Sequence, residues 1–560
     1  MKGNKKIYIF LTAWFLINLL QAIYTNIQED EAYYYLYSRH LAWGYFDHPP
    51  FVALLIHLSN LIFHNILKVR FFSVVLQPIA LWFIWEQLDL RSKPGNQQIL
   101  FFFLSAFSVV MFTVYGFLST PDAPLLFFTA LFLYAYQQFL RKITLWHIVL
   151  LIVSSTGLLY SKYQGFLVIA LTLLSNPALF KKRVTYVIAG LTILLFLPHL
   201  VWQFNNGFPS IKFHVVERAV TFKWAYFWEY IPNQLLSFNP IILTTAVYII
   251  IKYHRKDLYH RALYFNVIGF ILIFWLTTFR GHAEPHWTIA AAVPMLIIIN
   301  EYLTANTSFL KFSRKLIVAT VVLILGLRTA LILNVLPKQM GFSGNAQKYE
   351  AIAKTANNKP VVFVDNHIEP ALYYYFTGKP AASIATIDNR NSQFDIWKEY
   401  KNWIGKPVLV VGDLPDSLAA GSVPHFQEKV WNMNAFFPTQ FLQVNYTIPA
   451  KPIHSGDTIH IPITIKNPLP KPYYLHTKDF KTDVGILLMH NGQHEIIKSL
   501  HHPTYMQIAG NNFIIDTLKV ALPALKKGAY KMGVWTGNNL GQTLNSDVST
   551  IEIIDEENTH

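Results

Sequence analysis

The chain has 560 residues, of which 53% are hydrophobic and only 14% charged. A soluble protein usually carries about 25% charged residues, so a wholly aqueous fold is excluded. The apolar residues crowd into the stretch before about Val335, and the remainder reads as an ordinary aqueous protein. The chain therefore has a membrane part and an aqueous part. The net charge of +15 does not point to nucleic acid, because the basic residues before position 340 sit in short clusters between apolar runs, as orientation signals do. There are no cysteines, which excludes disulfides, thiolate catalysis and cysteine-ligated zinc.

In chain order, the first apolar run follows Lys5-Lys6 and ends in Tyr24-Thr25-Asn26, without a small-x-small cleavage signal. It reads as an uncleaved first span. A span needs about 20 mostly apolar residues. Eleven stretches qualify: 6–26, 68–88, 98–117, 123–140, 145–160, 163–179, 184–203, 231–251, 262–279, 287–304 and 316–335. With the N-terminus cytoplasmic, Arg141-Lys142, Lys181-Lys182-Arg183, Lys252, Lys256 and Arg314-Lys315 fall inside, as the positive-inside rule requires. Everything after residue 335 is then outside the cell membrane. Acids run the other way: Glu29, Asp30, Glu31, Asp47, Asp122, Glu217, Glu229 and Glu284 all fall on the outer side. Charges at the membrane edge are costly, which makes them functional candidates.

The first outer loop, 27–66, is the most informative. Tyr33, Tyr37 and His40 share a helical spacing, so the segment after Glu29 is expected to be an amphipathic helix on the membrane surface. Asp30 and Glu31 suit the start of that helix as caps. Tyr33, Tyr34, Trp43 and Trp224 are the outer rings that would stack on a sugar or a prenyl chain. His199 is expected to be buried at a span end.

Several motifs lie in one order along the chain. They are Asp30-Glu31-Ala32-Tyr33-Tyr34, Trp43-Gly44-Tyr45-Phe46-Asp47-His48-Pro49-Pro50 and Thr120-Pro121-Asp122-Ala123-Pro124-Leu125. Leu159-Tyr160-Ser161-Lys162-Tyr163-Gln164-Gly165-Phe166 follows, then Pro198-His199-Leu200-Val201-Trp202-Gln203. The last are Arg280-Gly281-His282-Ala283-Glu284-Pro285-His286-Trp287 and Asn389-Arg390-Asn391-Ser392-Gln393-Phe394-Asp395-Ile396-Trp397. Together they resemble the bacterial branch of the dolichyl-phosphate-mannose protein mannosyltransferases, glycosyltransferase family 39. That group includes transferases that place aminoarabinose or galacturonic acid on lipid A and its core. Beyond residue 430 there is no such resemblance.

The resemblance implies a GT-C membrane fold, a polyprenyl-phosphate sugar donor and an acidic pair in the first outer loop. Asp30 matches the family's catalytic aspartate, Glu31 is its neighbour, and Asp122 matches the second outer aspartate. Asp47-His48 stands where relatives have an acid followed by lysine. The histidine departs from that pattern, and opens Asp47, His48 and His214 as metal ligands or phosphate contacts. Carboxylate and imidazole suit zinc or manganese. Lys162, Arg280 and His282 are candidates for binding the donor phosphate. The expected activity is glycosyl transfer, of a hexose or pentose, to lipid A, a surface glycan or a protein. A carboxylate base would activate the acceptor and one inverting displacement would follow. The expected place is the inner (plasma) membrane, with several spans and the C-terminal domains periplasmic. A flippase of lipid-linked sugars is the alternative; it calls for charged or broken helices at mid-membrane. The oligosaccharyltransferase motif Trp-Trp-Asp-Tyr does not occur.

Three domains are expected: a membrane domain over 1–340, an outer α/β domain over 341–425 and an outer β-sandwich over 430–560. Val361–Val364 and Val408–Val411 read as buried strands with a helix around Pro370–Phe376 between them. After residue 437 apolar and polar residues alternate between Gly, Asn and Pro breaks, the mark of a sandwich. The acidic end, Asp555-Glu556-Glu557, is expected to fray.

Overall fold

The computed structural model of the chain describes residues 5–88, 95–214, 222–253, 255–336, 341–342, 344–387, 389–413, 418, 421–449, 453–478, 480–490 and 492–554. Glu217 and the acidic end lie outside the described residues. The chain divides into two compact units, Met1–Gly344 and Asn345–His560.

The first unit is helical. Among the described residues, seven helices are long and apolar enough to cross a membrane: Lys5–Tyr24, Leu67–Gln87, Asp122–Arg141, Arg183–Asn205, Leu258–Thr277, the run Pro285–Leu303, and Lys311–Ile332. They coincide with seven of the eleven expected spans. The other four are helical but shortened or broken. Leu145–Ser161 and Gly165–Ser175 are short apolar helices. Trp224–Phe238 and Pro240–Lys252 meet at an angle of 101°, because Asn239 takes a positive φ of 72° and Pro240 has no N–H to continue the ladder. The stretch 98–117 splits at Val109 into Asn96–Ser108 and Val110–Val114. There the hydroxyls of Ser105, Ser108 and Thr113 bond back to the carbonyls of Phe102, Ser105 and Phe107, and such bonds bend helices.

Polar side chains join the helices where lipid gives no hydrophobic drive for association. Arg328 donates to Gln21 Oε1 and Asn18 Oδ1. Gln77 Oε1 accepts from Trp14 and Asn18. Around this seam pack the rings of Phe107 and Phe112, against Trp14, and of Phe117, under the Arg328 guanidinium.

The first outer loop is mostly helix: Glu29–Arg39 and Phe51–Ile62. The expected surface helix is corrected here. Every side chain from Glu31 to Ser38 is buried, so the helix is enclosed by protein. A helix covered all round has no face to lay on a membrane. Its N-terminus is closed by a capping box between Gln28 and Glu31.

The second unit carries strands β1 (Val361–Val364), β2 (Ala381–Ile384), β3 (Val408–Gly412), β4 (Gly421–Ser422) and β5 (Lys429–Met433). They form one sheet in the order β2-β1-β3-β5-β4. The pairs β1–β2 and β1–β3 are parallel, and β5 is antiparallel to β3. Helices Ala346–Ala356 and Ile368–Thr377 accompany the sheet. Because β5 pairs with β3, this sheet runs past residue 425, where the sequence suggested that it would end.

The rest is β-structure: β6 (Gln443–Tyr446), β7 (Ile453–His454), β8 (Thr458–Lys466), β9 (Tyr473–Tyr474), β10 (Asp483–His490), β11 (Gln493–Lys498), β12 (Gln507–Ile508), β13 (Phe513–Ala521), β14 (Gly528–Asn538), β15 (Gly541–Leu544) and β16 (Ser549–Ile554). A six-stranded sheet, β11-β10-β14-β16-β7 with β15 on β14, and a three-stranded sheet, β13-β8-β6, are its main layers. In β8, Ile459, Ile461, Ile463 and Ile465 point inward and alternate with outward residues, as one buried face demands.

Candidate active site

The site is built from the N-terminal end of the enclosed helix. At its heart lies an ion pair that sequence reading did not see. Glu31 and Arg70 are completely buried, with Arg70 Nη2 2.5 Å from Glu31 Oε2. Arg70 Nε also donates to Glu31 Oε1 at 2.9 Å. The backbone N–H groups of Ser119 and Gln28 donate to the same carboxylate, at 2.8 and 3.1 Å. Arg70 in turn gives Nη1 to the carbonyls of Ala22 and Thr25, both at 2.8 Å, and Nη2 to that of Asn26 at 2.7 Å. One guanidinium thus closes the end of the first helix. It also fixes the start of the next and, through Glu31, holds the turn that carries Ser119. Glu31, expected among the catalytic residues, is thus buried and engaged by Arg70 and two backbone donors.

Asp30 differs: it is exposed beside its buried neighbour. Its place relative to the other acids is read from Tyr115, just beyond the helix Val110–Val114. Asp122, Asp30 and Glu284 all lie close enough to the Tyr115 hydroxyl for their charges to act on it. Three acids from distant parts of the sequence therefore act on one hydroxyl. The His286 ring lies 6.1 Å from that of Tyr115, edge to face.

Asp122 and Lys162, expected as separate contacts, are one pair. Lys162 Nζ donates to Asp122 Oδ1 at 2.7 Å, and both side chains are buried. Asp122 opens its helix, where an acid is favoured by the helix dipole. Lys162 ends the helix Leu145–Ser161. His282 and Arg280 are exposed, and His282 Nδ1 is 3.7 Å from Glu284 Oε1.

Asp47, His48 and His214 also come together. Asp47 Oδ1 accepts from the Tyr37 hydroxyl at 2.9 Å. Burial, and then the Asp47 charge, keep that hydroxyl protonated well above its ordinary range. His214 Nε2 lies 3.1 Å from the Asp47 carbonyl oxygen, and the rings of His48 and His214 are 6.5 Å apart. His214 therefore faces the backbone of Asp47, while the Asp47 carboxylate is engaged by Tyr37. Among the described residues no three His, Asp or Glu side chains gather to hold an ion. A carboxylate bonded to Tyr37 and an imidazole turned to a carbonyl are not a ready-made ligand set for zinc or manganese.

The loop itself is tightly tied. Tyr45 stacks on Tyr37 at 4.1 Å, and its hydroxyl donates to the Tyr37 carbonyl at 2.9 Å. His199, buried as expected, has Nδ1 2.7 Å from the Trp43 carbonyl oxygen. Ser210 donates to the Tyr45 carbonyl at 3.0 Å. Tyr33 and Tyr34 are buried, so they are packing rings rather than a sugar platform. Trp43 and Trp224 are exposed.

Sequence reasoning missed Arg70, Tyr115 and His286. Arg70 stands in the run 68–88, read from the sequence as a span. Its signal was an arginine set within an apolar helix, where a charge needs a partner.

Residues 47–202 match the family model of the dolichyl-phosphate-mannose-protein mannosyltransferases. No curated protein matches the sequence. Among solved structures, the chain is similar to ArnT from Cupriavidus metallidurans in the apo state, with a TM-score of 0.57 and 13% identity over 76% of this chain and 97% of that one. It is equally similar to ArnT from that organism bound to undecaprenyl phosphate, with a TM-score of 0.57 and 14% identity over the same shares. At such identity the likeness is one of fold. The likeness gives the chain a polytopic membrane fold of the GT-C type, and the family match covers residues 47–202 of it. Within that type, the fold likeness is to ArnT.

Proposed function

We propose that this protein transfers a sugar from a polyprenyl-phosphate carrier to an acceptor on the outer side of the inner membrane, with Asp30 as general base. The observation that carries the reading is the pairing of an exposed Asp30 with a fully buried Glu31 clamped by Arg70. The clamp fixes the helix end on which Asp30 is exposed. The similarity to a structure bound to undecaprenyl phosphate supports the choice of donor.

The chemistry follows from the groups present. Asp30 takes the proton of the acceptor nucleophile as it attacks the anomeric carbon, and proton transfer of this kind contributes roughly 10²–10⁴-fold. The bond from that carbon to the phosphate oxygen breaks, and the polyprenyl phosphate leaves with the electron pair. The configuration inverts in one displacement. Negative charge grows on the phosphate, so nearby cations stabilise the transition state more than the ground state. Arg280 and His282 are exposed for that task, and Lys162 serves it while held by Asp122. The lipid carrier keeps the leaving group at the membrane edge, where the acids sit. The second unit then lies on the periplasmic side, and the acceptor is lipid A, a surface glycan or a protein.

The test is to supply purified protein in membranes with a panel of undecaprenyl-phosphate sugars and lipid A, and to follow loss of the donor. Transfer from at least one donor, releasing undecaprenyl phosphate, is expected. Movement of intact donor across the bilayer without release would favour a flippase.

A further inference from the structure

The second unit contains a cavity that the transferase chemistry does not use. In its parallel part, the chain leaves β1, returns as β2 on one side, and then places β3 on the other side. The order thus reverses at β1, and the connections after β1 and β3 diverge. In open α/β sheets a crevice forms at such a point, outside the carboxyl ends of the strands, and ligands bind there. A cavity of about 490 Å³ sits at this place, lined by Val364, Asp365 and Asn366 after β1 and by Gly412 and Asp413 after β3. Its volume lies within the roughly 300–1,000 Å³ of small-ligand pockets.

The lining gives the ligand's chemistry. Lys348, from helix Ala346–Ala356, projects into the wall between two acids. Its Nζ is 3.0 Å from Glu369 Oε2 and 2.7 Å from Glu428 Oε1. Asp365, held at a positive φ of 56°, accepts from the backbone N–H and the hydroxyl of Thr386. With Asp413 the wall has four carboxylates against the two ammonium groups of Lys348 and Lys429. Such a wall repels phosphates and carboxylates and accepts hydrogen bonds from hydroxyls or amines. Phe363, Val364 and Val411 supply apolar lining, which suits the C–H face of a ring.

We infer that this crevice is a second, non-catalytic binding site for a saccharide unit that is neutral or amine-bearing. It stands apart from the transferase reading, since binding is measured without turnover. The test is saturation-transfer NMR on the full chain in nanodiscs, with glucose, glucosamine and glucuronate as probes. Glucose and glucosamine are expected to bind in the millimolar range, and glucuronate at least ten-fold more weakly. Gln427 is an exposed residue at the cavity, and Gln427→Trp is expected to abolish the signal at an unchanged melting midpoint. Glu428→Gln is expected to lower glucosamine affinity about ten-fold more than glucose affinity. Absence of any saccharide signal from the wild-type chain overturns the inference. So does an undiminished signal in folded Gln427→Trp, or glucuronate binding as tightly as glucose.

Discussion

The Glu31–Arg70 clamp allows a quantitative test. Glu31→Ala removes a carboxylate that has no solvent exposure and receives four protein donors: Nε and Nη2 of Arg70 and the N–H groups of Ser119 and Gln28. Arg70 keeps its three carbonyl contacts but becomes a buried charge without a counter-charge. Breaking a buried pair from one side costs about 3–5 kcal/mol. Each orphaned buried backbone donor adds about 1–3 kcal/mol. Replacing both partners with apolar residues of similar size removes the stranded charge and is often near neutral. Glu31→Ala is therefore expected to lose at least ~3 kcal/mol, while the double variant Glu31→Ala with Arg70→Met recovers the part due to the stranded charge and not the part due to the orphaned N–H groups. The assay is a double-mutant cycle of thermal unfolding in one detergent. At roughly 2–4 °C per kcal/mol, the single change should lower the midpoint by about 6 °C or more. A Glu31→Ala protein with a wild-type midpoint but no turnover would refute this reasoning, because Glu31 would then be acting on substrate.

The other predictions concern the same loops and the outer unit. An added Cβ at Gly44 would lie 2.5 Å from Trp202 Cε3 and 2.8 Å from His199 Nδ1. Gly44→Ala should therefore cost about 1–3 kcal/mol by overpacking, read as a lower melting midpoint. Asp122→Ala strands buried Lys162 and should destabilise by about 3–5 kcal/mol. Asp122→Leu with Lys162→Met should restore the midpoint without restoring transfer. In the second unit, burial alone would lower the Lys348 pKa, but Glu369 and Glu428 outweigh it and raise the value above the ordinary 10.5. A raised lysine stabilises fully below its unfolded pKa, and that contribution fades as pH climbs through the folded one. The stability gap between wild type and Lys348→Met should stay constant from pH 6 to about 10 and shrink above 10.5.

The membrane architecture was legible because span length and apolar content leave few alternatives. The breaks were less so. Asn239-Pro240 looks like a tolerable interruption of an apolar run, and the split at Val109 has no Pro or Gly to mark it. The two breaks also meet, Asn239 Nδ2 donating to the Ser108 carbonyl at 3.4 Å, a bond between segments 131 positions apart. Asp30 and Asp122 were visible through their motifs, and the partner of Asp122 was visible as a residue but not as a partner. The different surroundings of Asp30 and Glu31 were not legible in the sequence, because the Arg70 that pairs with Glu31 lies 39 positions from it. The helix Glu29–Arg39 was expected at the membrane surface because its tyrosines recur at helical spacing. Its burial comes from elements distant in the sequence that close over it.

The most direct test of the account is the rate of transfer by Asp30→Asn, measured with saturating polyprenyl-phosphate sugar beside the wild type. The side chain is exposed and the helix cap is made by Gln28 and Glu31, so the variant should fold with an unchanged melting midpoint and bind the donor within about three-fold. Loss of a general base predicts a fall in kcat of roughly 10²–10⁴-fold. A wild-type kcat from a folded Asp30→Asn protein would contradict the central claim.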